Sequence, residues 1–179
     1  GRVVAATDVH LAREVAVKEL LPELTRGGGS HADALADRFL REISVLAGIQ
    51  HPRISRLLDY GEREWLVYYV MEFVEGPTLR EYLEHVIRAP IQDTVVGTCQ
   101  VLEALQYAHE HGVVHRDVKP ENIKLSPSGA VLMDFGIAKA VAASGSSRLT
   151  RSGFTVGTSA YMSPEQVAGD RAIDHRADL

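Results

Sequence analysis

The sequence predicts an α+β fold in two parts, and three observations predict it. Before Phe73 the chain carries alternating apolar runs typical of strands, interrupted by one amphipathic stretch of helical period. Glu75-Gly76-Pro77 then breaks the pattern, which places a boundary between parts there. Beyond it, apolar residues recur at helical spacing.

Arg2 to Leu20 reads as two strands about a turn near Thr7-Asp8. In Val15-Ala16-Val17-Lys18 the side chains alternate, so Ala16 and Lys18 share a face. A helix is predicted over about 32–47. Leu35, Phe39 and Leu46 form its apolar stripe, and Glu42 falls on the same stripe. A carboxylate on a buried face is costly unless a cation meets it. Two strands, about 54–60 and 65–71, are expected to flank a turn at Gly61-Glu62.

Past the boundary, Val95, Cys99, Leu102 and Leu105 stand at helical spacing, which puts Cys99 in the core. Gly112 ends that helix. Short strands are expected at Val113-Val114, Ile123–Leu125 and Val131–Met133, followed by a long irregular stretch of the kind that is usually functional or disordered.

Composition narrows the function. The chain has 179 residues, ordinarily one domain, and 45% hydrophobic residues support a normal core. A net charge of -5 leaves no basic excess for a nucleic-acid backbone, so no nucleic acid is expected as a partner. Cys99 is the single cysteine, so no internal disulfide forms, which fits a reducing, cytoplasmic setting. No apolar run approaches the ~18 residues that span a bilayer. Gly27-Gly28-Gly29-Ser30 reads as a flexible connection. Both ends read as cut, so any membrane anchor is expected in flanking sequence. The 179 residues alone are expected to be inactive and marginally stable.

His115-Arg116-Asp117-Val118-Lys119-Pro120-Glu121-Asn122 is the most informative segment. It gathers a carboxylate, an ammonium and an amide within six positions. Phosphoryl transfer needs an aligned acceptor hydroxyl, a held metal and neutralised charge on the moving group. Asp117 can accept the hydroxyl proton, Lys119 can balance charge, and Asn122 can offer an amide oxygen to Mg²⁺.

With this segment the chain resembles the protein kinase superfamily, and the likeness runs along its whole length. Val15-Ala16-Val17-Lys18 resembles the strand that carries the ATP lysine, and Glu42 its ion-pair partner. Asp134-Phe135-Gly136 resembles the second magnesium motif. Gly157-Thr158 and Ser163-Pro164-Glu165 resemble the substrate-docking loop and the end of the activation segment. Lys119, two residues after Asp117, is similar to Ser/Thr kinases, and Tyr161-Met162-Ser163-Pro164-Glu165-Gln166 to bacterial kinases of the eukaryotic type.

The resemblance implies a two-lobed kinase fold, with an N-lobe part at 1–73, a C-lobe part at 74–179 and an activation segment at 134–165. It implies ATP as cosubstrate, with Mg²⁺ (or Mn²⁺ in its place) held by Asn122 and Asp134. Lys18 would hold the phosphates and Glu42 would position Lys18. The remainder of the ATP site would be Gly1 as the last residue of a glycine loop, Val3 over adenine, Ala16, Met71 as gatekeeper, and Glu72 and Val74 at the hinge. Thr158 would tie Asp117 to Lys119. Asp178 would anchor the backbone of the His-Arg-Asp loop. Thr150 and Ser152 are the expected activation-loop phosphosites, with Arg116 receiving the phosphate and a homodimer serving autophosphorylation. The partners implied are protein substrates bearing Ser or Thr.

Two departures stand out. The glycine loop is nearly absent, and Lys124 sits where an apolar side chain usually underlies adenine. His115 is read as a packed residue touching Phe135, and His109 and His111 as surface residues. Two rivals fit less well. A non-catalytic scaffold conflicts with the presence of Lys18, Glu42, Asp117, Asn122 and Asp134. A small-molecule phosphotransferase of the same fold lacks the docking segment at 157–165.

Overall fold

The computed structural model describes residues 2–19, 30–63, 66–136, 158–170 and 172–179. They form two compact units, one of residues 1–50 with 55–73 and one of 51–54 with 74–179.

The first unit is a four-stranded antiparallel sheet with one helix. Its strands are β1 (Arg2–Asp8), β2 (Arg13–Glu19), β3 (Leu57–Arg63) and β4 (Leu66–Glu72), in the order β1-β2-β4-β3. The first turn falls after Asp8, a few residues beyond its expected place. Asp8 Oδ1 accepts the N–H groups of His10 at 3.0 Å and Leu11 at 3.2 Å, so that side chain starts the turn. Gly61 does not turn the chain either. It sits inside β3 opposite Tyr68, whose hydroxyl lies 2.9 Å from where a Cβ would be.

Helix α1 (Ser30–Ala47) buries Phe39 and Ile43, four residues apart, and Phe39 meets Tyr69 of β4 with ring centroids 6.2 Å apart. Val67, Tyr69 and Met71 alternate onto one face of β4 and are buried with them, while Val15, in register with Glu72, is buried on the other face of the sheet. Glu42 is exposed. It lies one residue off the buried row, so the expected buried carboxylate is not found.

The second unit is helical with one small hairpin. It holds α2 (Leu79–His85), α3 (Ile91–Glu110), β5 (Ile123–Ser126), β6 (Gly129–Leu132) and α4 (Pro164–Ala168). Thr78 and Glu81 start α2 with a reciprocal capping box. Residues 51–54 pack here, not with the sheet. Ile54 bridges Leu132, Arg53 O accepts the Leu132 N–H at 2.8 Å, and His51 stacks on Tyr107.

Helix α3 buries Ala104, Leu105 and Ala108. Val95, Leu102 and Cys99 are exposed, which corrects the expected core stripe. Leu105 alone of that stripe faces the hairpin side, where Ala130, Val131 and Leu132 are buried. Gly112 ends the helix at φ 75°, as expected, and Val113-Val114 runs on without strand pairing. Gly76, at φ 112°, passes so close to Leu125 O that a Cβ would lie 2.1 Å from it. The Leu125 N–H then reaches Pro77 O at 2.8 Å, and Lys124 Nζ donates to Gly76 O at 2.6 Å.

Candidate active site

The centre of the second unit is the loop from Val113 to Asn122. Its backbone is held from outside. Asp178 is buried and accepts the His115 N–H on Oδ2 and the Arg116 N–H on Oδ1, both at 2.7 Å. Asp178 lies in a 3-10 turn, residues 175–178, capped by Asp174. The Arg176 side chain and backbone hold the Asp174 carboxyl down to about 2, so that cap stays ionised at working pH.

His115 is fully buried. Its Nδ1 accepts the Asp117 N–H at 3.1 Å, which leaves the proton on Nε2, facing Met133 O at 2.9 Å. Its ring meets Phe135 with centroids 4.6 Å apart, as the sequence reading expected. Burial first of all pushes its pKa down, so the ring is neutral and orients the loop. His109, expected at the surface, instead places Nε2 2.8 Å from Asp178 Oδ2 and is largely covered.

Asp117 is oriented through Oδ2, which lies 2.9 Å from Lys119 Nζ and 3.0 Å from Asn122 Nδ2. The same Nδ2 donates to Asp117 O at 2.7 Å. The three residues read from the sequence as one catalytic group therefore meet. A tight 3-10 turn at Pro120–Asn122 brings Asn122 back over Asp117.

The β5–β6 hairpin places the second motif. Ile123 pairs with Leu132, and Met133 N–H donates to Asn122 O at 2.8 Å. Asn122 and Asp134 therefore stand at the same end of the hairpin. Asp134 adopts φ 58°, and the Gly136 N–H returns to His115 O at 2.7 Å. A Cβ at Gly136 would lie 2.9 Å from that oxygen, so only glycine fits the approach.

The donor set at this end of the hairpin suits Mg²⁺. An amide oxygen and a carboxylate at one hairpin end are hard ligands, and two protein ligands suit an ion that keeps water and phosphate oxygens. No cluster of three or more His, Cys, Asp or Glu able to hold a metal is found among the described residues. The arrangement fits a metal that arrives with phosphate and does not fit a closed structural site.

In the first unit, β2 carries Ala16 and Lys18 on one face. Lys18 pairs in register with Val3 and Tyr69, and Ala16 with Ala5 and Met71, so Val3, Ala16, Lys18 and Met71 share that face. Lys18 Nζ stands 5.9 Å from the centre of the Tyr69 ring. The Glu72 N–H donates to Arg56 O at 2.9 Å, and its carbonyl accepts the Ser55 hydroxyl at 3.4 Å. Val74 is half-buried at the start of the second unit's main stretch.

Gly1, Thr150 and Ser152 lie outside the described residues. Thr158 opens a 3-10 turn over Thr158–Tyr161. Arg116, read as the phosphate receiver, sits at φ 64°, and its Nε is a buried donor without a partner among the described residues. Two residues that sequence reasoning missed also act here. Arg80 of α2 donates to Glu121 Oε1 at 3.0 Å and to the Tyr161 hydroxyl at 2.7 Å. Gln166 of α4 donates to Arg116 O at 2.8 Å.

No helix among the described residues is long and apolar enough to cross a membrane. The family model for the protein kinase domain matches residues 1–179. The chain is 41% identical over 184 residues to a probable serine/threonine-protein kinase of Streptomyces coelicolor, covering 100% of this chain and 26% of that protein. It is 41% identical over 179 residues to the serine/threonine-protein kinase PknB of Mycobacterium leprae, covering 97% of this chain and 28% of that protein. It thus spans about a quarter of the length of these relatives. The solved PknI kinase domain of Mycobacterium tuberculosis superimposes with a TM-score of 0.72 at 28% identity, over 98% of this chain and 63% of that one. A loop of this geometry, with kinase relatives along the full 179 residues, makes the chain a member of the protein kinase domain family.

Proposed function

We propose that the whole protein is a Ser/Thr protein kinase that moves the γ-phosphate of ATP onto hydroxyls of other proteins and of its own activation segment. The observation that carries this reading is the Asp117 carboxylate, oriented by Lys119 and Asn122 from the same short loop. A carboxylate fixed in this way aligns an incoming hydroxyl and takes its proton as the new O–P bond forms. Lys119 balances negative charge on the transferring group. Asn122 Oδ1 and the Asp134 carboxylate would hold Mg²⁺, or Mn²⁺ in its place, which would neutralise charge along the phosphates.

Lys18 pairs with the α- and β-phosphates, and Glu42 joins Lys18 when nucleotide is bound. Val3, Ala16 and Met71 surround adenine, whose edge meets the backbone of Glu72 and Val74, while Gly1 covers the phosphates. Thr158 binds Asp117 and Lys119 and shapes the seat of the acceptor. Thr150 and Ser152 are phosphorylated by a second copy of the chain. The Arg116 Nε, a buried donor without a partner among the described residues, supports a phosphate seat there, because a guanidinium binds phosphate through paired donors.

The test is Asp117→Ala in the whole protein, assayed with Mg-ATP and a generic protein substrate. A positioned base contributes about 10²–10⁴ in rate, so kcat should fall by that factor while ATP affinity holds. A wild-type kcat would remove Asp117 from the mechanism. Phosphoamino-acid analysis should give phosphoserine and phosphothreonine, and phosphotyrosine as the main product would overturn the specificity.

A further inference from the structure

Gln166 is where two structural demands meet. Ser163 caps α4, its Oγ accepting the Gln166 N–H at 3.4 Å, and Gln166 Oε1 accepts the Ser163 N–H at 3.0 Å. Such a box is ordinarily closed by Glu or Gln, and Glu81 closes the one on α2. In α4 the other half of the side chain is used as well, because Nε2 donates to Arg116 O at 2.8 Å. A carboxylate could not do this, since it only accepts, whereas an amide carries both a donor and an acceptor.

Arg116 directly precedes Asp117 and holds a left-handed backbone at φ 64°. Its N–H is held by Asp178 and its C=O by Gln166. That carbonyl belongs to the peptide plane joining Arg116 to Asp117, so turning it turns the Asp117 backbone. Helix α4 follows within a few residues of the turn at Thr158–Tyr161.

We infer that Gln166 is a positioning residue for Asp117, through which the segment that seats the protein substrate fixes the peptide plane in front of the catalytic carboxylate. This rests on the reading of Asp117 as the base given under Proposed function. Order in the docking segment then reaches the carboxylate through one hydrogen bond, without any contact between substrate and Gln166.

The test is Gln166→Glu in the whole protein. Glutamate keeps the capping box, so α4 is retained, but it turns an acceptor toward Arg116 O. At pH 7.5 kcat should fall about tenfold, the scale of one lost and partly repulsive hydrogen bond, with KM for Mg-ATP unchanged within about twofold. A ratio near one at pH 7.5, or a loss that appears chiefly as a raised KM for Mg-ATP, overturns the inference. Asp117→Ala, run in the same assays, separates the two readings: if it keeps wild-type kcat, the assignment of the base has failed whatever Gln166→Glu does.

Discussion

His109 Nε2 lies 2.8 Å from Asp178 Oδ2, the same oxygen that accepts the backbone N–H of His115. With Arg116 on Oδ1, one buried carboxylate satisfies a side chain and two loop amides. Asp178→Asn puts an NH₂ group where an acceptor is needed, so one of these donors loses its partner. A stability loss of about 2–4 kcal/mol in urea unfolding is expected, with kcat falling alongside. An unchanged midpoint would show that the loop does not depend on this anchor.

Glu42 is exposed, so its removal should cost little in the nucleotide-free protein. Glu42→Ala is expected to change unfolding stability by less than about 0.5 kcal/mol. Its proposed pairing with Lys18 belongs to the nucleotide-bound state, where it should appear in phosphotransfer. A cycle with Lys18→Met should be non-additive in kcat/KM by more than about 0.5 kcal/mol. Additive losses would mean that the two side chains do not meet during catalysis.

Gly76 and Gly97 should respond in opposite directions to alanine. At Gly76 a Cβ meets Leu125 O at 2.1 Å and the backbone is at φ 112°. Backbone strain alone costs about 1–3 kcal/mol, and the displaced strand adds to it. At Gly97, inside α3, nothing lies within 4 Å of the added methyl. There Ala should stabilise by about 0.5–1 kcal/mol. Thermal unfolding of both variants against the parent decides.

His115 gives stability a dependence on pH. Burial holds its folded pKa below the ordinary 6.5, against the pull of Met133 O and of the Asp178, Asp117 and Asp134 carboxylates. The unfolded chain therefore takes up this proton first as pH falls. Stability from the neutral ring is complete above about pH 6.5 and is lost below it, with a slope of up to about 1.4 kcal/mol per pH unit. His115→Phe should flatten the slope between about pH 6.5 and 5. Equal slopes for parent and variant would place the titration elsewhere.

The loop from His115 to Asn122 was legible because its information is local. Asp117, Lys119 and Asn122 lie within six positions, and a short turn suffices to bring them together. Asp178 was found only through the family likeness, since a lone acid near a chain end carries no signal of its own. Helical period revealed stripes on α1 and α3 but not how wide the covered part is. Phe39 and Ile43 are covered and Glu42 is not, and on α3 the cover reaches Ala104, Leu105 and Ala108 but not Cys99. Gly61 looked like a turn because glycine usually marks one, whereas here it makes room for the Tyr68 hydroxyl. The Ser163–Gln166 spacing could have signalled the cap of α4. Nothing in it signalled the bond to Arg116, which depends on how distant segments pack.

The bond from Asp178 to Arg116 joins residues 62 positions apart, and its fellow to His115 joins residues 63 apart. Chains emerge from the ribosome amino end first, at about 5–20 residues per second. Until Asp178 has emerged, those loop amides lack their acceptor and the left-handed turn at Arg116 lacks one of its two holds. A nascent chain stopped just short of that residue would display every motif from Lys18 to Asp134 while the amides of His115 and Arg116 still lacked this anchor. Under the proposed function, full orientation of Asp117 would then wait on a residue that emerges about sixty positions after the loop it holds.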